Sequence, residues 1–365
     1  MANLSTSAGE WVRARFSAWI FRVYRRPLQF LLVLVALPLG FVVAATHQAS
    51  VEMARNQAMR NLRMTAQVAA EAVGATLHEA ELFAELTVAE PAFLEALKRR
   101  DKGQLASLLA RALPQLPQAD QVTVADSEGR VLATAPSAAE HIGVSLADGD
   151  GWLGAREGGW HPYVSAVHVR DNESLEKVVD IILPVLSNQA FFGVLSVEYR
   201  IESVKSWVQR VRVEPEGFIY VADHRQQLVV YPFQVLPGRP KVVANWPPVA
   251  QPLLPDGFSM AFRDRRFSRP WLAGIYPVAA TGWRVVAVQP VDAVLQLLYR
   301  VFVPMGLLVV VLLIFVGFVS LRWAALQVLN FRLLQQNAKL LKQSQQRWTL
   351  EQGKSSPRRQ GGQAT

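Results

Sequence analysis

Apolar and polar positions divide the chain into stretches of different period. Two runs without a charged residue, Leu28 to Thr46 and Val301 to Leu321, are each long enough to cross a hydrocarbon core of about 30 Å as a helix. From 47 to 89 the sequence contains no proline and places Met53, Leu62, Ala66, Ala69, Val73 and Leu77 three or four residues apart or at multiples of that spacing. This predicts one long helix continuing out of the first run. Shorter helical patterns follow at Pro91–Arg100, where proline suits a first turn, and at Gln104–Leu113. Beyond Pro117 the period shortens to that of strands.

Within the strand-like region the pattern occurs twice. VADSEGRVLATAP (124–136) is echoed by VADHRQQLVVYP (221–232), LPV (183–185) by YPV (276–278), and VLSVEYRIESV (194–204) by VVAVQPVDAV (285–294). Three echoes in one order mark an internal repeat. Each copy reads as a hairpin, a variable middle, and two antiparallel strands running into a helix. The fold class is therefore α+β, with two stacked small modules on a long N-terminal helix. Residues 201–213 carry Val204, Trp207, Val208 and Val211 on one helical face and link the copies. Between Pro232 and Asp256 stand Pro237, Pro240, Pro247, Pro248, Pro252 and Pro255, which predicts a long irregular loop.

Charge sets the orientation. The net charge is +9, but residues 1–27 carry Arg13, Arg15, Arg22, Arg25 and Arg26 against Glu10, and 322–365 carry eight basic residues against Glu351. Basic flanks at both ends of the two spans are the positive-inside pattern, and they explain the high pI without a nucleic acid partner. Both termini are expected in the cytoplasm of a bacterial cell, with residues 47–300 outside its inner membrane. Val43-Ala44-Ala45 resembles a signal-peptidase site, but the long basic leader and the uninterrupted helix after it favour an uncleaved anchor. With no cysteine, disulfides and thiolate metal sites are excluded.

Catalytic constellations are missing. There is no P-loop, no Gly-x-Ser-x-Gly elbow and no His-Glu-x-x-His. The six histidines, His47, His78, His141, His161, His168 and His224, include no i, i+4 pair. Asp148 and Asp150 lie in a Gly-rich stretch that reads as a turn. No enzyme, cofactor or metal is expected. Strand alternation instead groups Tyr163 with Ser165, places Asp180 with Val178 and Ile182, and pairs Ser196 with Glu198. These polar faces are open to two readings: the lining of a ligand cavity, or the solvated side of an ordinary antiparallel sheet. Tyr220, Asp223 and Trp271 are weaker pocket candidates, indistinguishable from core and turn positions. Arg263, Arg265, Arg266 and Arg269 fall on a predicted hairpin.

The phrases VTVADSEGRVLATAP, GVLSVEYRIESV, GFIYVADHRQQLVVYP and TGWRVVAVQP, in this order after a membrane-exiting helix, resemble the double Cache (dCache) family of PAS-like extracytoplasmic sensors. The resemblance covers about 47–300. It implies a stalk helix (47–89), a membrane-distal module (90–200) that holds a small ligand, the linker (201–213), and a membrane-proximal module (214–297) that relays the signal. Trp152 matches the family's ligand-contacting tryptophan, and Glu198 its acidic position at the end of the last distal strand. Where amino-acid sensors carry a carboxylate-binding arginine and an aromatic, this chain has Asp150 and Leu153. Arg156, one turn later, could take over a carboxylate. With Glu198, Asp150 and Asp180 close by, an amine is at least as good a match. The implied ligand site is Trp152, Arg156, Tyr163, Ser165, Asp180, Ser196 and Glu198.

After the second span (301–321), residues 322–350 show coiled-coil-like spacing at Leu326, Leu329, Leu333 and Leu340, and 351–365 read as a disordered tail. No output domain follows. A separate histidine kinase, cyclase or chemotaxis protein is the implied partner, unless the chain is a shortened receptor. A homodimer through the long helix is expected. The competing reading is a non-enzymatic envelope scaffold that binds another protein.

Overall fold

The computed structural model describes residues 5–170, 176–233, 240–263 and 269–354. They form two compact units, 51–297 and a second comprising 1–50 with 298–365.

In the larger unit, helix α1 (Ser5–Ala89) contributes its portion from Val51 onward. Its buried face is Leu62, Ala66, Ala69, Ala70, Val73, Leu77, Ala80 and Ala84. Alanine on this face lets the helix sit against a sheet. A Cβ at Gly274 would collide with the α1 backbone at Leu62 and Arg63. Met53 does not join that face and is 69% exposed. It precedes Leu62 by two and a half helical turns and so points the opposite way. Met64, Val68, Ala75, Leu82 and Leu86 share its side and are exposed as well.

Helices α2 (Pro91–Lys98) and α3 (Lys102–Ala112) follow, with Asp101 capping α3 by accepting the Gln104 N–H at 3.0 Å. Then comes an antiparallel sheet of β1 (Ala119–Asp126), β2 (Val131–Ala135), β3 (Tyr163–Val164), β4 (His168–Val169), β5 (Lys177–Ser187) and β6 (Ala190–Arg200), with α4 (Asp150–Glu157) between β2 and β3. Its order is β2-β1-β6-β5-β3, with β4 also paired to β5. Helix α5 (Ile201–Val208) leads to β7 (Phe218–Ala222), β8 (Leu228–Val230), β9 (Phe258–Arg263), β10 (Pro270–Pro277) and β11 (Arg284–Pro290), in the order β8-β7-β11-β10-β9. The two orders superimpose, so the repeated phrases occupy equivalent strands. Mixed α/β architecture with two antiparallel sheets and a long N-terminal helix agrees with the α+β expectation.

The proline-rich stretch is not wholly irregular. Pro247–Ala250 forms the short helix α6, because two prolines at its first positions sacrifice no intrahelical hydrogen bond. Buried Arg284 secures the following segment, donating to the carbonyls of Val249 (2.7 Å) and Gln251 (2.8 Å). Arg265, Arg266 and Pro237 lie outside the described residues, as do 355–365 of the expected tail.

In the smaller unit the ring of His47 meets Phe302 edge-on at 5.3 Å. Helix α7 (Val291–Lys354) starts directly at the end of β11. Its segment Leu298–Trp348 is long and apolar enough to cross a membrane, with mean hydropathy 2.9 in its most apolar window. The first apolar run lies within α1, and its side chains through residue 33 are outside the described set.

Candidate functional site

The register of the first sheet decides which side chains meet. Asp180 lies opposite Glu198, Ile182 opposite Ser196, Thr123 opposite Ser196 and Gln121 opposite Glu198. Residues opposite one another in an antiparallel pair share a face. One face of this sheet therefore carries Gln121, Thr123, Asp180, Ser196 and Glu198. The other, with Val122, Val124, Ile181, Leu195, Val197 and Tyr199, is buried. Tyr163 joins the polar side opposite Ile182. Ser165 is locked to β5, its Oγ accepting the Asp180 N–H at 2.8 Å and donating to the Ala166 carbonyl at 3.0 Å.

Helix α4 covers one end of this face. Trp152 and Ala155 pack with Ala125, Ile182 and Val194, and Trp152 meets Trp160 (5.2 Å) and Phe191 (5.8 Å) edge-on. Gly151 and Gly154 let the helix settle, since a Cβ at the first would press on Ile182 and one at the second would enter the Tyr163 ring. Arg156, one turn beyond Trp152, is exposed. Thus six of the seven sequence-nominated residues (Trp152, Tyr163, Ser165, Asp180, Ser196 and Glu198) gather at one place, and Arg156 stands apart.

Beyond the aromatic end the site is acidic. Asp180 retains 29% side-chain exposure, with His168 Nε2 3.7 Å from its carboxylate. Burial pushes the Asp180 carboxyl above its ordinary value, the field of His168 opposes, and the charge of Asp150 adds to the rise. Glu198 is likewise raised by burial, against the pull of Arg170. The Arg170 guanidinium binds Glu198 and reaches Asp120 at 3.3 Å. Arg200 holds the other Asp120 oxygen at 3.2 Å.

One contributor was not recognisable in sequence, and a second has a role the sequence did not show. Arg170 directly follows a two-residue strand with no pattern of its own. Asp150, read as a turn residue, is instead the first residue of α4 and the anchor of a contact between modules. It accepts the Ala166 N–H at 2.6 Å, lies 3.5 Å from His224 Nε2, and pairs with Arg225. Burial raises its carboxyl, but the hydrogen bonds from His224 and Ala166 and the field of Arg225 bring it below its ordinary value. Tyr163 Oη meets the same His224 nitrogen at 2.9 Å. Burial, reinforced by Asp150, pushes the Tyr163 hydroxyl up to about 12. Beside them Asp223 Oδ2 accepts the Val167 N–H at 2.9 Å. Residues 223–225 thus form a clasp on the distal module.

In the proximal module Tyr220 and Trp271 belong to an aromatic core with Trp246, Tyr231 and Phe218. A concavity of about 480 Å³ lies where the end of α5 meets β7, lined by Val208, Val211, Val213, Phe218 and Val230 together with Arg212, Glu214 and Glu216. Among the described residues no cluster of histidine and carboxylate side chains could hold a metal ion.

Residues 50–298 match the family model for the Cache domain of the dCache type. Solved structures of similar fold include the ligand-binding domain of the Pseudomonas fluorescens chemoreceptor CtaA with L-isoleucine. It is 14% identical, with a TM-score of 0.53, over 67% of this chain and 98% of that one. The domain of the Pseudomonas aeruginosa PAO1 chemoreceptor PctC with GABA is 16% identical (TM-score 0.50; 63% and 98% covered). That of Campylobacter jejuni Tlp3 with 4-methylisoleucine is 12% identical (TM-score 0.50; 66% and 94% covered). Among curated proteins none matches.

Proposed function

The chain belongs to the dCache family of Cache domains across residues 50–298, and from this premise we propose that it is a membrane-anchored sensor of a small amine-bearing ligand. The observation that carries the ligand class is the carboxyl pair Asp180 and Glu198, opposed across β5 and β6 with Trp152 and Tyr163 on the same side. Carboxylates partly removed from water favour a cationic partner that returns the solvation they have lost. Among the described residues beside this face a carboxylate-bearing group has no comparable host, because Arg156 is exposed and Arg170 and Arg200 are engaged with acids. Isoleucine and GABA, bound by the similar domains, both carry an amine.

The clasp at 223–225 supports relay. A ligand that shifts α4 or β3 acts on Asp150 and Tyr163, and both touch His224. Two-pass anchoring, cytoplasmic termini, and a separate histidine kinase, cyclase or chemotaxis output protein complete the proposal. A homodimer through the exposed apolar side of α1 is part of it.

Thermal unfolding of the full chain in detergent, with a panel of amines, amino acids and plain carboxylates, tests the ligand class. A ligand bound at a hundred times its Kd stabilises by about 2.7 kcal/mol. Amines are expected to raise the Tm and carboxylates to leave it unchanged. No shift with any amine sinks the reading and favours an envelope scaffold.

A further inference from the structure

One residue of the distal face behaves as though it were already a ligand. Arg170 directly follows β4, where its backbone N–H donates to the Glu176 carbonyl at 3.0 Å beyond the outer edge of β5. From there its side chain crosses β5 to Glu198 on β6 and Asp120 on β1. The three side chains are 23%, 16% and 15% exposed. Glu198 has no other ion-pair partner among the described residues, whereas Asp120 is also held by Arg200.

The face therefore has three parts. The aromatic cluster of Trp152, Trp160 and Phe191 covers one end. Asp180 lies in the middle with its carboxylate partly open. Arg170 closes the other end with a guanidinium bridging two carboxylates. Three acids, Asp120, Asp180 and Glu198, face two guanidiniums, those of Arg170 and Arg200. Asp180 is the acid of the three without a guanidinium, and its neighbour is the His168 ring, Nε2 at 3.7 Å.

Resting on the amine reading above, we propose that Arg170 is the residue that determines ligand specificity, a tethered cation that fills the second cation position of the site. With Arg170 in place Asp180 is the one acid of the three not held by a guanidinium, so a charged amine goes there and the site selects ligands with one cationic group and an apolar body. Removing the guanidinium leaves Glu198 and Asp120 without it and opens a place for a second ammonium. The change converts a monoamine site into a diamine site.

Calorimetric titration of the full chain in detergent with 1-aminobutane and 1,4-diaminobutane tests this. In Arg170→Gln the ratio of diamine to monoamine affinity is expected to rise at least tenfold over the unsubstituted chain. An unchanged ratio, with monoamine affinity retained, overturns the role of Arg170 and leaves the amine reading standing. Failure of the unsubstituted chain to bind either amine overturns both. Should Arg170→Gln not unfold cooperatively, Arg170→Lys carries the test. A lysine ammonium lacks the planar fork that bridges two carboxylates, so the ratio should rise by a smaller factor, and no rise defeats the proposal.

Discussion

At the scale of single residues, the raised carboxyl of Asp180 ties ligand binding to pH. A carboxyl whose pKa is higher in the folded than in the unfolded chain holds its proton more tightly when folded. The unliganded protein therefore loses stability as pH rises from the unfolded value, near 3.8, through the raised one. Amine binding has the opposite dependence, since it requires the carboxylate and weakens as pH falls through that same window. Asp180→Asn should reduce the slope of both profiles, leaving the share of Glu198, and weaken amine binding by roughly 10- to 100-fold, the worth of a charge-assisted hydrogen bond of about 1.5–3 kcal/mol. Calorimetry between pH 4 and 8 checks it, and an Asp180→Asn chain that binds amines as before removes Asp180 from the site. Alternation grouped Ser196 with Glu198, as the register of β6 does, because a strand's period is fixed by its backbone. The same period could not find Arg170 or Asp150, whose partners lie on other strands or in the other module.

At the scale of elements, α1 has two apolar sides and the larger unit covers only one. Met53, Met64, Val68, Ala75, Leu82 and Leu86 recur at multiples that hold them within a narrow stripe. A second copy of the chain is the occupant proposed for it, and the absence of cysteine makes the test clean. Single cysteines at Val68 or Leu82 should crosslink to a covalent dimer in membranes, whereas one at Arg63 or Thr76, about 80° round the helix from the stripe on either side, should do so less. Equal yields from all four would remove the stripe as the interface. The helix itself was legible in sequence, but its two sides were not separable there. Spacing alone grouped Met53 with Leu62 and the positions after it, and only the phase of the helix against the sheets separates them. Likewise the prolines of 247–248 suggested disruption, because proline breaks a helix everywhere except at its beginning.

At the scale of the whole molecule, the repeat gives two sheets of one order, and one difference between the modules lies at a hairpin tip. In both copies an aspartate folds the tip with one oxygen. Asp126 Oδ1 accepts the N–H of Glu128 (2.9 Å) and Arg130 (3.0 Å), and Asp223 Oδ1 accepts that of Gln227 (2.8 Å). The other oxygen goes to Arg100 at 3.4 Å, within the distal module, in the first copy and to the Val167 N–H across the module boundary in the second. Asparagine keeps the first function and inverts the second, presenting an N–H₂ where an N–H must be accepted. Asp223→Asn should thus cost about 1–3 kcal/mol by stranding a buried donor, and Asp126→Asn under about 1 kcal/mol, its partner being an exposed arginine. Urea unfolding of the two variants checks this, and equal costs would show that Asp223 does no more than shape its own turn. Duplication thereby leaves an experimenter a sister copy in the same chain. Grafting Ser127, Glu128 and Gly129 onto positions 224–226 would give the second tip the chemistry of the first, and so isolate what three side chains add to a fold that is otherwise written twice.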